Sequence, residues 1–296
     1  MNKTDFIKES FIHIEDSYKE FCDYQDITWD ILTHVNKLFR ENDLDYYLAY
    51  GTLLGVIRDK TKIPWDYDVD IHVKYKDYDK LIDILEHKLG PDYYYVYKNN
   101  MSDYPVECLR ICKKGYTYTS IHVDVFFLFG GGPNVEDRVR TMKGVKKWCY
   151  IRSGKFVNNH DPLPPMSSLK RILLNLFNLR YKLIPTSLIS QKEDNILKRY
   201  NMDHTEFYIS FTRDVNWAKG EFEVYPSTIF CSSIDIEIDG VLYKAPAGYD
   251  EYLRLQYGDY MSYLPIKNRF REFYNQLDRI KERQAYFEKY LQHKIK

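Results

Sequence analysis

The sequence has no apolar run long enough to span a bilayer, and its opening MNKTDFIKESF lacks the apolar stretch of a secretory leader. It has no excess of charge. With 43 basic and 43 acidic side chains the formal net charge is zero, which withholds the electrostatic footprint of a nucleic-acid binder, so no nucleic acid is expected as a partner. Cysteine is scarce and odd in number: Cys22, Cys108, Cys112, Cys149 and Cys231 are scattered, and fit neither a disulfide framework nor a zinc spacing. These absences point to a reducing compartment, and the expected localisation is cytoplasmic. No internal repeat or low-complexity segment is visible.

What is abundant is aromatic, with 29 Tyr and 16 Phe. Tyrosine offers a ring face together with a hydroxyl, which suits sugar or quaternary-ammonium ligands, but it also fills cores. At 296 residues and 44% hydrophobic content the chain is long enough for one elaborate domain or two small ones.

Periodicity orders the chain. Trp29, Leu32, Val35, Leu38 and Phe39 recur at helical spacing and predict an amphipathic helix over 16–42. A short strand, YYLAY, is expected at 46–50, followed by GTLLGVIRD as a turn into a helix. YDKLIDILEHKL (78–89) reads as a helix, with strands around 93–98, 106–112 and 117–128. This predicts an α+β fold, a sheet with helices packed on it. From 130 to 200 the pattern breaks into GGGP, a basic helical stretch with Lys143, Lys146 and Lys147, the breaker DPLPPMSS, and a second basic helix. In that helix Leu169, Ile172, Leu173, Leu176 and Phe177 share a face beside Lys170, Arg171, Arg180 and Lys182, so residues 167–184 either rest on a membrane surface or cover a core. Short strands are expected over 207–245, then a helix in AGYDEYLRLQ. Phe270, Phe273, Leu277, Ile280, Phe287 and Leu291, interrupted by polar Gln284, make a heptad-like end that packs on its own domain or pairs with another chain.

The chemistry concentrates in IPWDYDVDIHV (63–73). On a strand, Asp66, Asp68 and Asp70 would share one face and Trp65, Tyr67, Val69, Ile71 and Val73 the other. Neighbouring ionised acids about 7 Å apart repel by about 2 kcal/mol at an effective dielectric near 20. A hard divalent cation offsets that best, since carboxylate oxygens are its preferred ligands. Asp124, among the apolar neighbours of IHVDVFFLF, reads either as a satisfied buried acid or as a further ligand from a second strand. His122 lies one alternation away on the same face. Gly51 and Thr52, at a strand-to-helix turn, would offer backbone amides to a phosphate, with Arg58 within reach.

The order strand, Gly-Thr, helix, Asp-x-Asp, later lone Asp resembles the nucleotidyltransferase superfamily. More narrowly, YGTLLGVIRDKTKIPWDYDVDI resembles the signature of the LicD family, and APAGYDEYLRLQYGDYMSYLP is similar to that family's carboxyl-terminal block; with Asp124 these span residues 46–264. Fukutin and the fukutin-related protein look like distant members, although the latter's zinc-binding cysteine cluster has no counterpart here.

The resemblance implies a nucleotidyltransferase-like mixed sheet with flanking helices, a helical insertion and a C-terminal helical region. The expected division is an N-terminal helical segment (1–45), a nucleotidyltransferase core (46–130), a basic helical insertion (131–200), and strands and helices completing the same catalytic domain (201–296). It also implies transfer of a phospho-alcohol, phosphocholine first among them, from a CDP-activated donor (CDP-choline, CDP-ribitol or CDP-glycerol) to a hydroxyl of a glycan acceptor such as teichoic acid or lipopolysaccharide, which can be lipid-linked, releasing CMP. Asp68, Asp70 and Asp124 would hold Mg²⁺ or Mn²⁺, with Asp70 or Asp124 also accepting the acceptor's proton; Gly51, Thr52 and Arg58 would hold the donor phosphate. Asp66, Trp65 and His122 are supporting candidates. Three competing readings are a nucleotide-sugar glycosyltransferase, disfavoured because only one strand and helix precede the Asp-x-Asp pair in the core, a conventional nucleotidyltransferase that releases pyrophosphate, and a nucleotide-binding scaffold. Asp68→Asn and Asp124→Asn are both expected to leave the fold intact while turnover falls by orders of magnitude.

Overall fold

The computed structural model describes residues 3–156, 167–200, 205–210, 223–292 and 295; of residues 3–15, 266, 267 and 270 it describes the backbone alone. The breaker DPLPPMSS (161–168) lies almost wholly outside the described residues, as do 211–222 of the expected strand region and the side chain of Phe270.

Helix α1 (Lys3–Glu41) buries Trp29, Leu32, Val35, Leu38 and Phe39, the face that the 3.6-residue period predicts. A sheet follows, built from β1 (Tyr47–Leu48), β2 (Val69–Lys74), β3 (Tyr93–Val96), β4 (Leu109–Lys113) and β5 (His122–Gly130). Between β1 and β2 lie α2 (Tyr50–Leu54), which runs on into a π-helical turn at Gly55–Asp59; α3 (Tyr78–Lys88) joins β2 to β3. The strand order is β1-β2-β5-β4-β3, with β2 and β5 parallel and the other neighbours antiparallel, so the fold is α+β with a mixed sheet. The parallel pair is the most deeply covered: Val69, Ile71, Val73, Val123 and Val125 have no exposed surface.

After β5, among the described residues, come the helices α4 (Val135–Phe156), α5 (Ser168–Lys182) and α6 (Thr186–Leu197). The far end of β5 pairs with β6 (Phe207–Ile209), which pairs with β7 (Val224–Pro226). A separate hairpin, β8 (Ser233–Ile238) and β9 (Val241–Pro246), leads to α7 (Tyr249–Tyr257) and the long α8 (Ile266–Tyr290). The heptad-like residues of α8 serve the chain's own core, with Phe273, Leu277, Ile280 and Phe287 buried along with Leu291 just beyond it.

Two expected strands begin later than their β-branched content predicts. Residues 117–121 form a turn instead, closed by Ile121 N donating to Thr117 O at 2.9 Å and by a 2.7 Å contact between the Thr117 and Thr119 hydroxyls. Threonines that satisfy backbone groups locally compete with ladder pairing. The strand expected over 63–73 starts only at Val69: after Pro64 the chain turns, with Asp66 N donating to Ile63 O at 3.1 Å.

Candidate functional site

Only Asp70 of the three alternating acids lies on a strand. Asp66 and Asp68 sit in the approach to β2, so a single row of carboxylates on one strand face does not form. They converge nonetheless. Glutamines hold the approach in place: Gln25 Nε2 donates to Ile63 O and Asp66 O, while Gln276 of α8 accepts from Tyr67 N at 3.3 Å and donates to Asp66 Oδ1 at 3.2 Å.

The register of the sheet builds the rest. Asp70 on β2 is directly opposite Asp124 on β5, and Asp124 is directly opposite Arg110 on β4. Residues so paired share a face of the sheet, so an acid, a second acid and a guanidinium stand in one row across three strands. Arg110 Nε donates to Asp124 Oδ1 at 2.9 Å and its Nη1 to Tyr118 O at 3.0 Å. Cys108 Sγ also reaches Oδ1 at 3.1 Å, and His122 Nε2 lies 3.3 Å from Oδ2.

These contacts divide the acids. Burial alone would raise the Asp124 carboxyl, but Arg110 and then His122 outweigh it and hold it well below the usual carboxylate range. Burial pushes Asp70 well up, and Asp68, Asp124 and Glu223 push it further. Asp66 is likewise raised, first by burial and then by Asp68 and Asp70. His122 is lowered by burial and by Arg110, so near neutral pH its ring is uncharged and meets Asp124 through an N–H bond.

Gly51 and Thr52 support the acids as well as the turn. A Cβ on Gly51 would stand 2.6 Å from Asp66 Oδ2, so glycine is what lets that carboxylate lie against α2. Thr52 Oγ1 accepts the Asp70 amide at 2.9 Å, tying α2 to the start of β2 and leaving its own O–H to donate. Between them and β1 stands Tyr50 at φ +43°, a strained backbone for a non-glycine residue. It is pinned on both sides: its amide donates to the Tyr252 hydroxyl at 3.2 Å, and its own hydroxyl donates to Glu223 at 2.7 Å.

Arg58 and Trp65 belong to a neighbouring stack. The Arg58 guanidinium grips Asp59 through two bonds of 2.9 and 2.8 Å and lies 4.4 Å over the Tyr263 ring, while Arg269 covers the Tyr263 and Trp65 rings at 5.2 and 5.3 Å. Arg58 is thus committed to Asp59 rather than presented freely to an anion.

Sequence reasoning missed Arg110, Glu223, Gln276 and the Tyr50 clamp. Arg110 had a signal, a lone arginine between Leu109 and Ile111 in an apolar strand, which demands a buried counter-charge. Glu223 follows residues outside the described set and had none.

As a donor set, clustered carboxylates whose charges repel suit a hard divalent cation. Among the described residues, though, no three His, Cys, Asp or Glu side chains stand together at metal-ligand spacing, and both oxygens of Asp124 are already engaged.

Residues 43–172 match the family model for the LicD/FKTN/FKRP nucleotidyltransferase domain. The chain is also 23% identical over 248 residues, 80% of its length and 89% of the relative's, to the lipopolysaccharide cholinephosphotransferase LicD of Haemophilus influenzae.

Proposed function

We propose, from the match of residues 43–172 to the LicD family model and the similarity to a LicD cholinephosphotransferase, that the chain transfers phosphocholine from a CDP-activated donor to a hydroxyl of a cell-surface glycan, releasing CMP. The single observation that carries the reading is the register that sets Asp70 beside Asp124 on the two parallel central strands, with Asp66 and Asp68 converging from the preceding turn.

In this reading Asp68 and Asp70, with Asp66 in support, would hold Mg²⁺ or Mn²⁺, which would neutralise charge gathering on the pyrophosphate oxygens, and Asp124 would join them by giving up its His122 contact. The chain's own residues do the positioning on which phosphoryl transfer depends. Amides in the first turn of α2, at Gly51 and Thr52, have no carbonyl four residues back within the helix and turn toward the donor phosphates. Asp70 is better placed than Asp124 to take the proton of the acceptor hydroxyl, because Asp124 already accepts bonds on both oxygens. Arg110 fixes Asp124 and offsets part of the repulsion across the row.

The test incubates the protein with CDP-choline, CDP-ribitol or CDP-glycerol, a glycan acceptor and Mg²⁺, and identifies the nucleotide product. Release of CMP with CDP-choline, reduced roughly 10²–10³-fold in Asp70→Asn, supports the reading, by analogy with loss of one electrostatic partner of a transition state. Pyrophosphate as product from a nucleoside triphosphate supports a conventional nucleotidyltransferase instead, and donor binding without any turnover a scaffold.

A further inference from the structure

Helix α5 is built inside out. Its one buried residue is polar, Asn178, while Leu169, Ile172, Leu173, Leu176, Phe177 and Leu179 are each more than half exposed, as is Leu183 just past its end. At 100° per residue Leu169, Ile172, Leu173, Leu176, Leu179 and Leu183 fall on one side of the helix, opposite Asn178. No residue of α5 enters the hydrophobic core, although its neighbours α4 and α6 contribute Met142, Val145, Cys149, Ile196 and Leu197.

The helix is nevertheless well anchored. Ser167 caps its first turn by accepting from Lys170 N, and Lys155 Nζ of α4 donates to the carbonyls of Lys182 and Ile184 at 2.9 and 2.7 Å. Tyr181 and Asn178 pack so closely on Gly154 of α4 that a Cβ there would meet Tyr181 at 2.5 Å and the Asn178 oxygen at 3.0 Å. A firmly held helix that turns its apolar side outward has been shaped for an apolar environment rather than left loose.

Charge selects the occupant. From 162 to 192 the sequence contains no acidic residue, while α5 carries Lys170, Arg171, Arg180 and Lys182, in a chain whose net charge is zero. A second copy docking face to face would bring like cations together, which disfavours self-association. On the same wheel Arg180 falls within the apolar side and Lys170 at its edge, whereas Arg171 and Lys182 lie beside Asn178; cations at an apolar face with no acid near match the anionic surface of a lipid bilayer. Among the described residues no helix is long and apolar enough to cross a membrane, so the contact would lie in the interface plane.

We infer that α5 is a membrane-docking helix that seats the protein on anionic lipid through Leu169, Ile172, Leu173, Leu176 and Leu183, with Lys170 and Arg180 at the headgroups. The inference does not depend on the donor chemistry: vesicle binding is read without turnover, so either proposal can fail without the other.

The experiment is flotation of the full chain with vesicles of pure phosphatidylcholine and of phosphatidylcholine with phosphatidylglycerol, at low and high salt, together with its mass by light scattering. The expected result is binding to the anionic vesicles that weakens with salt. Lys170→Gln with Arg180→Gln should weaken it about fivefold per charge removed. Ile172→Glu with Leu176→Glu should abolish it without lowering Tm, both positions being exposed. Equal binding to neutral and anionic vesicles, no binding to either, or a wild-type dimer that the Ile172→Glu/Leu176→Glu variant splits would each overturn the inference.

Discussion

At the scale of single residues, the site is governed by which carboxylates have partners. Asp124 and Arg110 are both largely buried and bonded at 2.9 Å, so Asp124→Asn leaves a guanidinium without its counter-charge; breaking such a pair costs about 3–5 kcal/mol. The expectation that this substitution spares the fold is therefore revised. Asp70 is pressed by Asp68, Asp124 and Glu223, so Asp70→Asn removes repulsion and should leave the denaturation midpoint unchanged or raise it. Urea titration of the two variants should separate them clearly, with Asp124→Asn alone destabilised. Gly51→Ala makes a sharper probe: its methyl would meet Asp66 Oδ2 at 2.6 Å, and the carboxylate must swing away. Turnover should fall while Tm changes by only a few degrees, as for a cost near 1 kcal/mol.

At the scale of elements, the seam between α2 and β2 carries a hydrogen bond beside its apolar packing. Thr52 Oγ1 accepts the amide of Asp70, and Ala49 N donates to Asp70 O at 3.0 Å, so the turn and the acid strand are held as one piece. Thr52→Val keeps the shape but orphans the Asp70 amide, an expected cost of about 1–3 kcal/mol in chemical denaturation together with reduced turnover. Thr52→Ser, which keeps the acceptor, should restore most of both. Preserved stability in Thr52→Val would mean the seam is held elsewhere. Helix α8 works in the same way: its polar interruptions meet backbone groups, Gln276 at Tyr67 N and Gln284 at Thr117 N. The break in its heptad pattern marks where a polar side chain had to reach another element.

At the scale of the whole molecule, a buried ionic cluster joins the sheet region to the helices that follow β5. Arg152 of α4 grips Glu193 of α6 through bonds of 3.0 and 2.7 Å, and Lys98 lies 3.6 Å from Glu193 and 2.9 Å from Asp194. Glu107 faces this cluster. Burial and then Glu193 raise its carboxyl from the ordinary 4.5 to about 7, against the pull of Lys98 and Arg152. A carboxyl raised on folding binds more protons in the native state, so its contribution to stability is full below pH 4.5 and is lost as pH rises to about 7. Glu107→Gln, which cannot ionise, should lack that loss. The Tm advantage of the variant over the wild type should grow from pH 5 to 7 and then level off; a constant difference would show that Glu107 does not titrate there.

Local pattern was enough to determine the helices with a clear apolar period, α1, α3, α7 and α8, and to nominate Asp70, Asp124 and the Gly51–Thr52 turn, because periodicity and an acid in an apolar strand are properties of neighbours along the chain. It could not determine that β2 pairs with β5 in the register that aligns Asp70 with Asp124, nor that β4 brings Arg110 to the same row. It equally left open whether the leucines of α5 face inward or out. Register, cross-strand partners and the side a helix presents depend on contacts between segments far apart in sequence, and only tertiary packing decides them.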